Sequence, residues 1–202
     1  MNNQFGNHPS DKILVDKVLN GGSQAFGDII KNTEGLVAQI VSKMIPIEED
    51  RKDLAQDIYL KTYHKLSGFK FQSKLSTWIG QIAYNTCLNW LEKKRPLLLG
   101  SREEESGEES LEMMSNKSLL GEGLESEKLI FQKELSGILE IEINRLPPIY
   151  KTLITLYHNE ELSYQEMMQI TGIPEGTVKS YLFRARKMLK ENLLAKYKKE
   201  SL

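Results

Sequence analysis

Along most of the chain the apolar residues recur at three- and four-residue spacing and alternating apolar–polar runs are absent, so the pattern predicts an all-α protein. A first helix is expected near Asp11 to Leu19, closed by Gly21-Gly22. Ser23 is placed to cap a second, which breaks near Asn32, resumes as EGLVAQIVSKMI and stops at Pro46. A third helix runs through EEDRKDLAQDIYLKTYHKL, and after the loop SGFKFQSKL a fourth starts at Ser76 and stops at Pro96. These make one four-helix domain, residues 1–96. From 97 to 127 the composition shifts to Glu, Ser and Gly with no aromatic residue. Such a segment buries too little apolar surface to offset the entropy of ordering it, and a flexible acidic linker is expected. Residues 128–202 read as a second, smaller domain of about four helices, interrupted at Pro147-Pro148, Asn159 to Leu162 and Thr171 to Pro174.

Near the C-terminus the punctuation is specific. Within LSYQEMMQITGIPEGTVKSYLFRARKML, Ser163 and Glu166 have the spacing of a capping box. Gly172 suits a left-handed helix end, and Pro174 suits the start of the next helix. That is a helix-turn-helix layout. At about 100° per residue Val178, Leu182, Ala185 and Leu189 share one side of the second helix, which is therefore the buried side. Lys179, Ser180, Phe183, Arg184, Lys187 and Lys190 share the opposite face. An exposed phenylalanine ringed by cations and a serine suits the DNA major groove, where a ring meets a thymine methyl, Arg reaches guanine and other cations hold phosphates.

Two further surfaces stand out. On the third helix Leu54, Ile58, Thr62 and Leu66 form the inward stripe, while Asp53, Gln56, Asp57, Leu60 and His64 face outward. An apolar anchor with a polar rim has the chemistry of a protein docking patch. In GFKFQSKLSTWIGQIAYNTCLNWLEKKRP the loop residues Phe69, Lys70, Phe71, Ser73 and Lys74 precede a helix whose expected buried stripe is Trp78, Ile79, Ile82, Thr86 and Trp90. That helix carries Asn85 near its edge and Lys93, Lys94 and Arg95 at its end. Rings beside cations at a loop–helix junction suit single-stranded nucleic acid, in which bases stack or enter pockets and the backbone follows positive charge; Phe69 and Phe71 could equally seal the core.

Charge supports a polyanionic partner. The net charge of −1 averages a basic block from Arg51 to Arg95, an acidic one from Arg102 to Lys128, and a basic one from Ile173 onward. The chain has no apolar run of membrane-spanning length, and MNNQFGNHPSDK lacks the features of a signal peptide, so a cytoplasmic protein is expected. One cysteine, Cys87, and three scattered histidines, His8, His64 and His158, offer no disulfide and no metal motif. There is no phosphate-binding glycine loop or nucleophile motif either, so no catalytic residue, metal or cofactor is expected.

The two blocks, in order, resemble the bacterial RNA polymerase sigma-70 family, in its extracytoplasmic-function group. DLAQDIYLKTY is similar to the polymerase-binding segment of sigma domain 2, STWIGQIAYNTCLNWLEKKRP to the segment that recognises and helps open the minus-10 element, and LPPIYKTLITLYHNEELSYQEMMQITGIPEGTVKSYLFRARKML to sigma domain 4, which reads the minus-35 element. The resemblance implies a non-enzymatic initiation factor that binds core polymerase. Asp53, Gln56, Asp57 and Leu60 would meet the beta-prime clamp helices, and domain 4 would meet the beta flap. Phe69, Lys70, Phe71, Ser73, Lys74, Asn85, Lys93, Lys94 and Arg95 would meet the minus-10 strand. Thr177, Lys179, Ser180, Phe183, Arg184 and Lys187 would meet minus-35 DNA. An anti-sigma factor is a further implied partner. Tyr181 departs from the pattern, standing where the group often has arginine. The alternative reading is a stand-alone helix-turn-helix regulator that binds operator DNA without polymerase.

Overall fold

The computed structural model describes the backbone of residues 9–100 and 125–200, and the side chains of 10–94 and 135–195. All of the regular structure in these segments is helical. Four helices, α1 (Pro9–Leu19), α2 (Ser23–Met44), α3 (Glu48–Lys65) and α4 (Leu75–Gly100), are followed by α5 (Glu125–Asn144), α6 (Pro148–His158), α7 (Tyr164–Thr171) and α8 (Glu175–Glu200).

The inward stripe expected on α3 is observed: Leu54, Ile58, Thr62 and Leu66 are all buried. In the second unit the capping box closes as expected. The Ser163 hydroxyl accepts from the Glu166 amide at 3.2 Å, and the Ser163 amide donates to the Glu166 carboxylate at 2.9 Å. Gly172 ends α7 at φ 72°, a left-handed conformation that costs glycine little. Pro174 then offers its carbonyl to the amides of Thr177 and Val178, starting α8. Val178, Leu182, Ala185 and Leu189 are buried along α8 as the periodicity requires.

Three local expectations are corrected. α2 does not break at Asn32: it runs unbroken to Met44, and the Thr33 hydroxyl beside that position folds back onto the Ile29 carbonyl at 2.7 Å inside the helix. Ser23 is the first helical residue of α2, not its cap. Gly22 holds the cap position, where a Cβ would stand 2.8 Å from the Lys17 carbonyl oxygen. Finally, α4 begins at Leu75 and continues through Pro96 to Gly100. Its first amide, that of Leu75, donates to the Asp11 carboxylate of α1 at 2.9 Å, a long-range cap that local sequence does not reveal. The proposed linker lies largely outside the described residues.

The two units do not stand apart. α2 packs on α6 and α4 on α7, and the buried apolar residues of both units form one continuous cluster. This widens the buried side of α4 beyond the expected stripe and shifts it. Ile79 and Thr86 of that stripe are buried as expected, but Leu75, Thr77, Ala83, Tyr84 and Cys87 are enclosed beside them, while Trp78, Ile82 and Trp90 are only half-buried. At Gly80 an added Cβ would meet the Ile170 side chain of α7 at 3.0 Å and Leu36 at 3.3 Å. Polar contacts cross the same seam. Lys43 of α2, itself buried, reaches Glu140 at 3.2 Å and Asn144 at 3.1 Å on α5.

Candidate protein and nucleic-acid interfaces

On α3 the outward residues Asp53, Gln56, Asp57 and Leu60 are all exposed and share one face, with Leu60 59% exposed. Asp57 is held by Lys61 one turn on, at 2.6 Å. One feature of this face escaped the sequence pattern. Tyr63, 52% exposed, meets Phe26 of α2 edge to face with ring centroids 5.0 Å apart, which extends the apolar anchor across two helices. The signal lay in the chain, since Tyr63 is one turn after Leu60, but its partner comes from 37 residues earlier.

The loop between α3 and α4 has a built interior. Phe69 is buried, its ring tilted against Phe71 and Trp78 with centroids 4.7 Å and 5.1 Å away. Phe71 takes φ 55°, a conformation that bulky side chains rarely adopt, so the packing of its ring holds the loop in a locally unfavourable shape. Beside this aromatic group lies a cleft of about 310 Å³ lined by Phe69, Lys70, Ser73, Thr77, Trp78 and Gln81, and also by Gln169 of α7. Small-molecule sites begin at about 300 Å³. The buried Thr77 hydroxyl on its lining has no hydrogen-bond partner among the described residues. Phe69 and Trp78 are therefore walls of the cleft, not free stacking platforms.

The cations around it differ in availability. Lys70 is exposed, and Ser73 is half-buried with its hydroxyl on the Lys74 carbonyl at 3.3 Å. Lys74 is tied to Glu166 at 2.8 Å. Asn85 and Lys93 are exposed along α4. Lys94 is engaged twice, with Asp50 at 2.8 Å and over the Trp90 ring at 4.7 Å. The Arg95 side chain lies outside the described residues.

On α8 Lys179, Ser180, Phe183, Arg184 and Lys187 are exposed together, with Thr177 half-buried at the edge. Phe183 is 70% exposed in the middle of this cationic face. Ser180 bonds the Gly176 carbonyl at 2.9 Å. Lys179 pairs with Glu175 at 2.6 Å, and that hydrogen-bonded carboxylate lifts its ammonium above the ordinary lysine value. A second cation–aromatic strip adjoins this face. Tyr157 and Tyr164 stack at 5.4 Å, with Arg186 over the first at 5.0 Å and Lys179 over the second at 5.2 Å. Partial burial, and then the nearby Arg186, push the His158 imidazole below its usual range. Tyr181 points away from this surface, meeting Tyr150 edge to face at 5.4 Å.

Among the described residues no group of His, Cys, Asp or Glu could hold a metal ion, and no helix is long and apolar enough to cross a membrane.

The fold and these faces define a helical, two-unit protein with an exposed helix-turn-helix, and comparison with known proteins specifies it further. The family model "Sigma-70 region 2" matches residues 29–96 and "Sigma-70, region 4" matches 138–189. The chain is 31% identical over 182 residues to the ECF RNA polymerase sigma factor SigW of Bacillus subtilis, covering 90% of this chain and 96% of that one. It is 33% identical to the ECF RNA polymerase sigma-E factor of Escherichia coli strain K12, covering 89% and 92%. Two solved structures share the fold. One is CnrH in complex with the cytosolic domain of CnrY, with TM-score 0.60, 19% identity and 92% and 97% of the two chains covered. The other is the sigma factor RpoE in complex with the anti-sigma factor NepR from Bartonella quintana, with TM-score 0.62, 21% identity and 83% and 96% covered. The chain belongs to the sigma-70 family, in its extracytoplasmic-function group, and is a transcription initiation factor.

Proposed function

We propose that the protein directs core RNA polymerase to promoters with minus-10 and minus-35 elements and assists their opening in the cytoplasm, with no catalytic chemistry of its own. Asp53, Gln56, Asp57 and Leu60 dock on the beta-prime clamp helices, with Leu60 as apolar anchor and the acids as rim. Region 4 docks on the beta flap and presents Thr177, Lys179, Ser180, Phe183, Arg184 and Lys187 to the minus-35 duplex. Lys70, Ser73, Lys74, Asn85, Lys93, Lys94 and Arg95 follow the minus-10 strand. A base of that strand, once unstacked, enters the cleft walled by Phe69 and Trp78, with Phe71 packed against Phe69, and the unpaired Thr77 hydroxyl can serve there as a hydrogen-bond partner. Unstacking costs on the order of a few kcal/mol, and capture in the cleft offsets it. An anti-sigma factor covering either unit would hold the protein inactive.

The observation that carries this reading is Phe183, 70% exposed among cations on the second helix of a helix-turn-helix unit. Solvent gives such a ring no reason to stand there, whereas a major groove does. The test is runoff transcription by purified core polymerase on a genomic promoter pool, with and without this protein. Transcripts that depend on the protein, and co-elution of the two on gel filtration, are expected. A protein that binds DNA but never co-elutes with core would instead be a stand-alone regulator.

A further inference from the structure

Arg186 stands about 60° round α8 from Phe183, on the same edge as Lys179. Rings from two other helices back that edge: Arg186 lies over Tyr157 of α6 and Lys179 over Tyr164 of α7, with the two rings stacked 5.4 Å apart. At the end of the row the Arg186 guanidinium comes within 3.4 Å of His158 Nε2, and both side chains are exposed. Arginine has no lone pair to offer, so at this contact the ring nitrogen accepts and the imidazole is neutral. Lys179 and Lys187 each have a glutamate, Glu175 at 2.6 Å and Glu191 at 3.9 Å. Arg186 and His158 do not: among the described residues no carboxylate pairs with either. The titratable groups at the ring are Arg186 and, one turn further along α8, Lys190; Tyr157 edge-on at 4.9 Å with Tyr164 of α7 behind it; and Glu160 and Glu161 in the turn that follows.

A major groove about 12 Å wide has phosphates on both walls. With Phe183 toward the bases, Arg184 is carried to one wall and Arg186, with His158 beside it, to the other. Given a duplex on this face, as proposed above, we infer that Arg186 and His158 together hold a backbone phosphate at the groove wall, and that this phosphate is bound with uptake of a proton on His158. The proton comes from solvent and sits on Nε2, and a phosphate oxygen accepts from that N–H and from the guanidinium. Without the anion the two cations would repel, and the free ring is accordingly held below its ordinary range by partial burial and by Arg186. The bound ring holds its proton more tightly than the free one. Duplex affinity therefore gains as pH falls through the imidazole range, and the gain is absent at higher pH, where both rings are neutral. By reciprocity, duplex must raise the titration of His158 by the factor by which protonation tightens duplex binding.

The test uses the full chain and a short fluorescein-labelled duplex of randomised sequence, since a phosphate contact needs no particular base. At constant ionic strength its affinity is expected to rise several-fold from pH 8 to pH 6. His158→Gln keeps a donor and an acceptor but does not titrate, and it should lose most of that gain, leaving only what the other titrating groups contribute. In NMR spectra the His158 ring, assigned by its absence from the variant, should titrate at higher pH with duplex present than without it. The same pH dependence in parent and His158→Gln, or a ring titration that duplex leaves in place, would overturn the inference. Runoff transcription keeps the two readings apart. Those negative results beside protein-dependent transcripts would strike only the proton-linked contact, whereas a parent chain that yields no transcripts with core would remove the initiation role itself.

Discussion

Leu182 and Phe183 are consecutive on α8 and opposite in environment, one 1% exposed and the other 70%. The 100° step of the helix turns one ring into solvent and one aliphatic chain into the core of region 4. Their truncations should separate function from stability. Leu182→Ala is expected to cost about 2–5 kcal/mol of unfolding free energy through its cavity. Phe183→Ala should stay within about 0.5 kcal/mol of the parent, as surface changes do, yet weaken binding of minus-35 duplex. Chemical denaturation and duplex-binding titrations on the two variants decide this, and similar stability losses for both would place Phe183 in the core.

The same contrast holds on α3, between Leu60 at 59% exposure and Ile58 with none. Leu60→Asp should leave the unfolding midpoint nearly unchanged while abolishing co-elution with core polymerase, because a charge replaces the apolar anchor at a docking centre. Tyr63→Ala should show a weaker form of the same defect. Its ring is held by Phe26 and widens the patch, and loss of an anchoring contact costs on the order of 2 kcal/mol at hot spots. Competition binding to core polymerase is the measurement. Wild-type affinity in Leu60→Asp would exclude this face as the contact.

The sequence was legible where a helix has one wet side. The stripes of α3 and α8 followed directly from spacing because solvent occupies their other faces. It was less legible for α4, which α2 and α3 cover within its own unit and α7 covers from the other. Ile79 and Thr86 are buried there as the spacing requires, but Ala83, Tyr84 and Cys87 are enclosed too while Trp78 and Trp90 stay half-open, a shift that no single-helix periodicity reveals. The same holds for the cap on Leu75 from Asp11 and the bridge from Lys74 to Glu166, each of which spans dozens of residues. Asn32 read as a helix break for a different reason. Its propensity is poor, but α2 is fixed by packing through Ile29, Leu36 and Ile40, and tertiary burial overrides local preference. The candidate minus-10 residues rested on rings and cations at a loop–helix junction and on the family resemblance, neither of which can tell a wall such as Phe69 from an exposed contact such as Lys70.

The turn that sets the angle between α7 and α8 depends on two residues with different physics. Ser163→Ala removes the hydroxyl that accepts the Glu166 amide and should cost about 1 kcal/mol. Gly172→Ala has open space for its methyl but must adopt φ 72°, so its cost is backbone strain of about 1–2 kcal/mol without any clash. Urea unfolding measures both. A Gly172→Ala variant as stable as its parent would mean that the turn relaxes to a different conformation, and a change in minus-35 binding should then accompany it.

Cys87 supplies a pH test of the region 2 core. It is fully enclosed on α4, and burial, opposed only weakly by Lys61, pushes its thiol from an ordinary value of 9.0 up to about 12. A thiolate is the reactive form, so the native protein should react with a disulfide reagent at pH 8 far more slowly than the same chain in denaturant. The sign of the linkage follows. The folded state holds its proton more tightly than the unfolded state, so this stabilisation is complete below about pH 9 and declines as pH rises toward 12. Cys87→Ala should lose packing at neutral pH but lack this alkaline component, which unfolding curves at pH 8 and pH 10.5 would separate. Rapid labelling of the native thiol at pH 8 would show instead that region 2 opens around α4 on the timescale of the reagent.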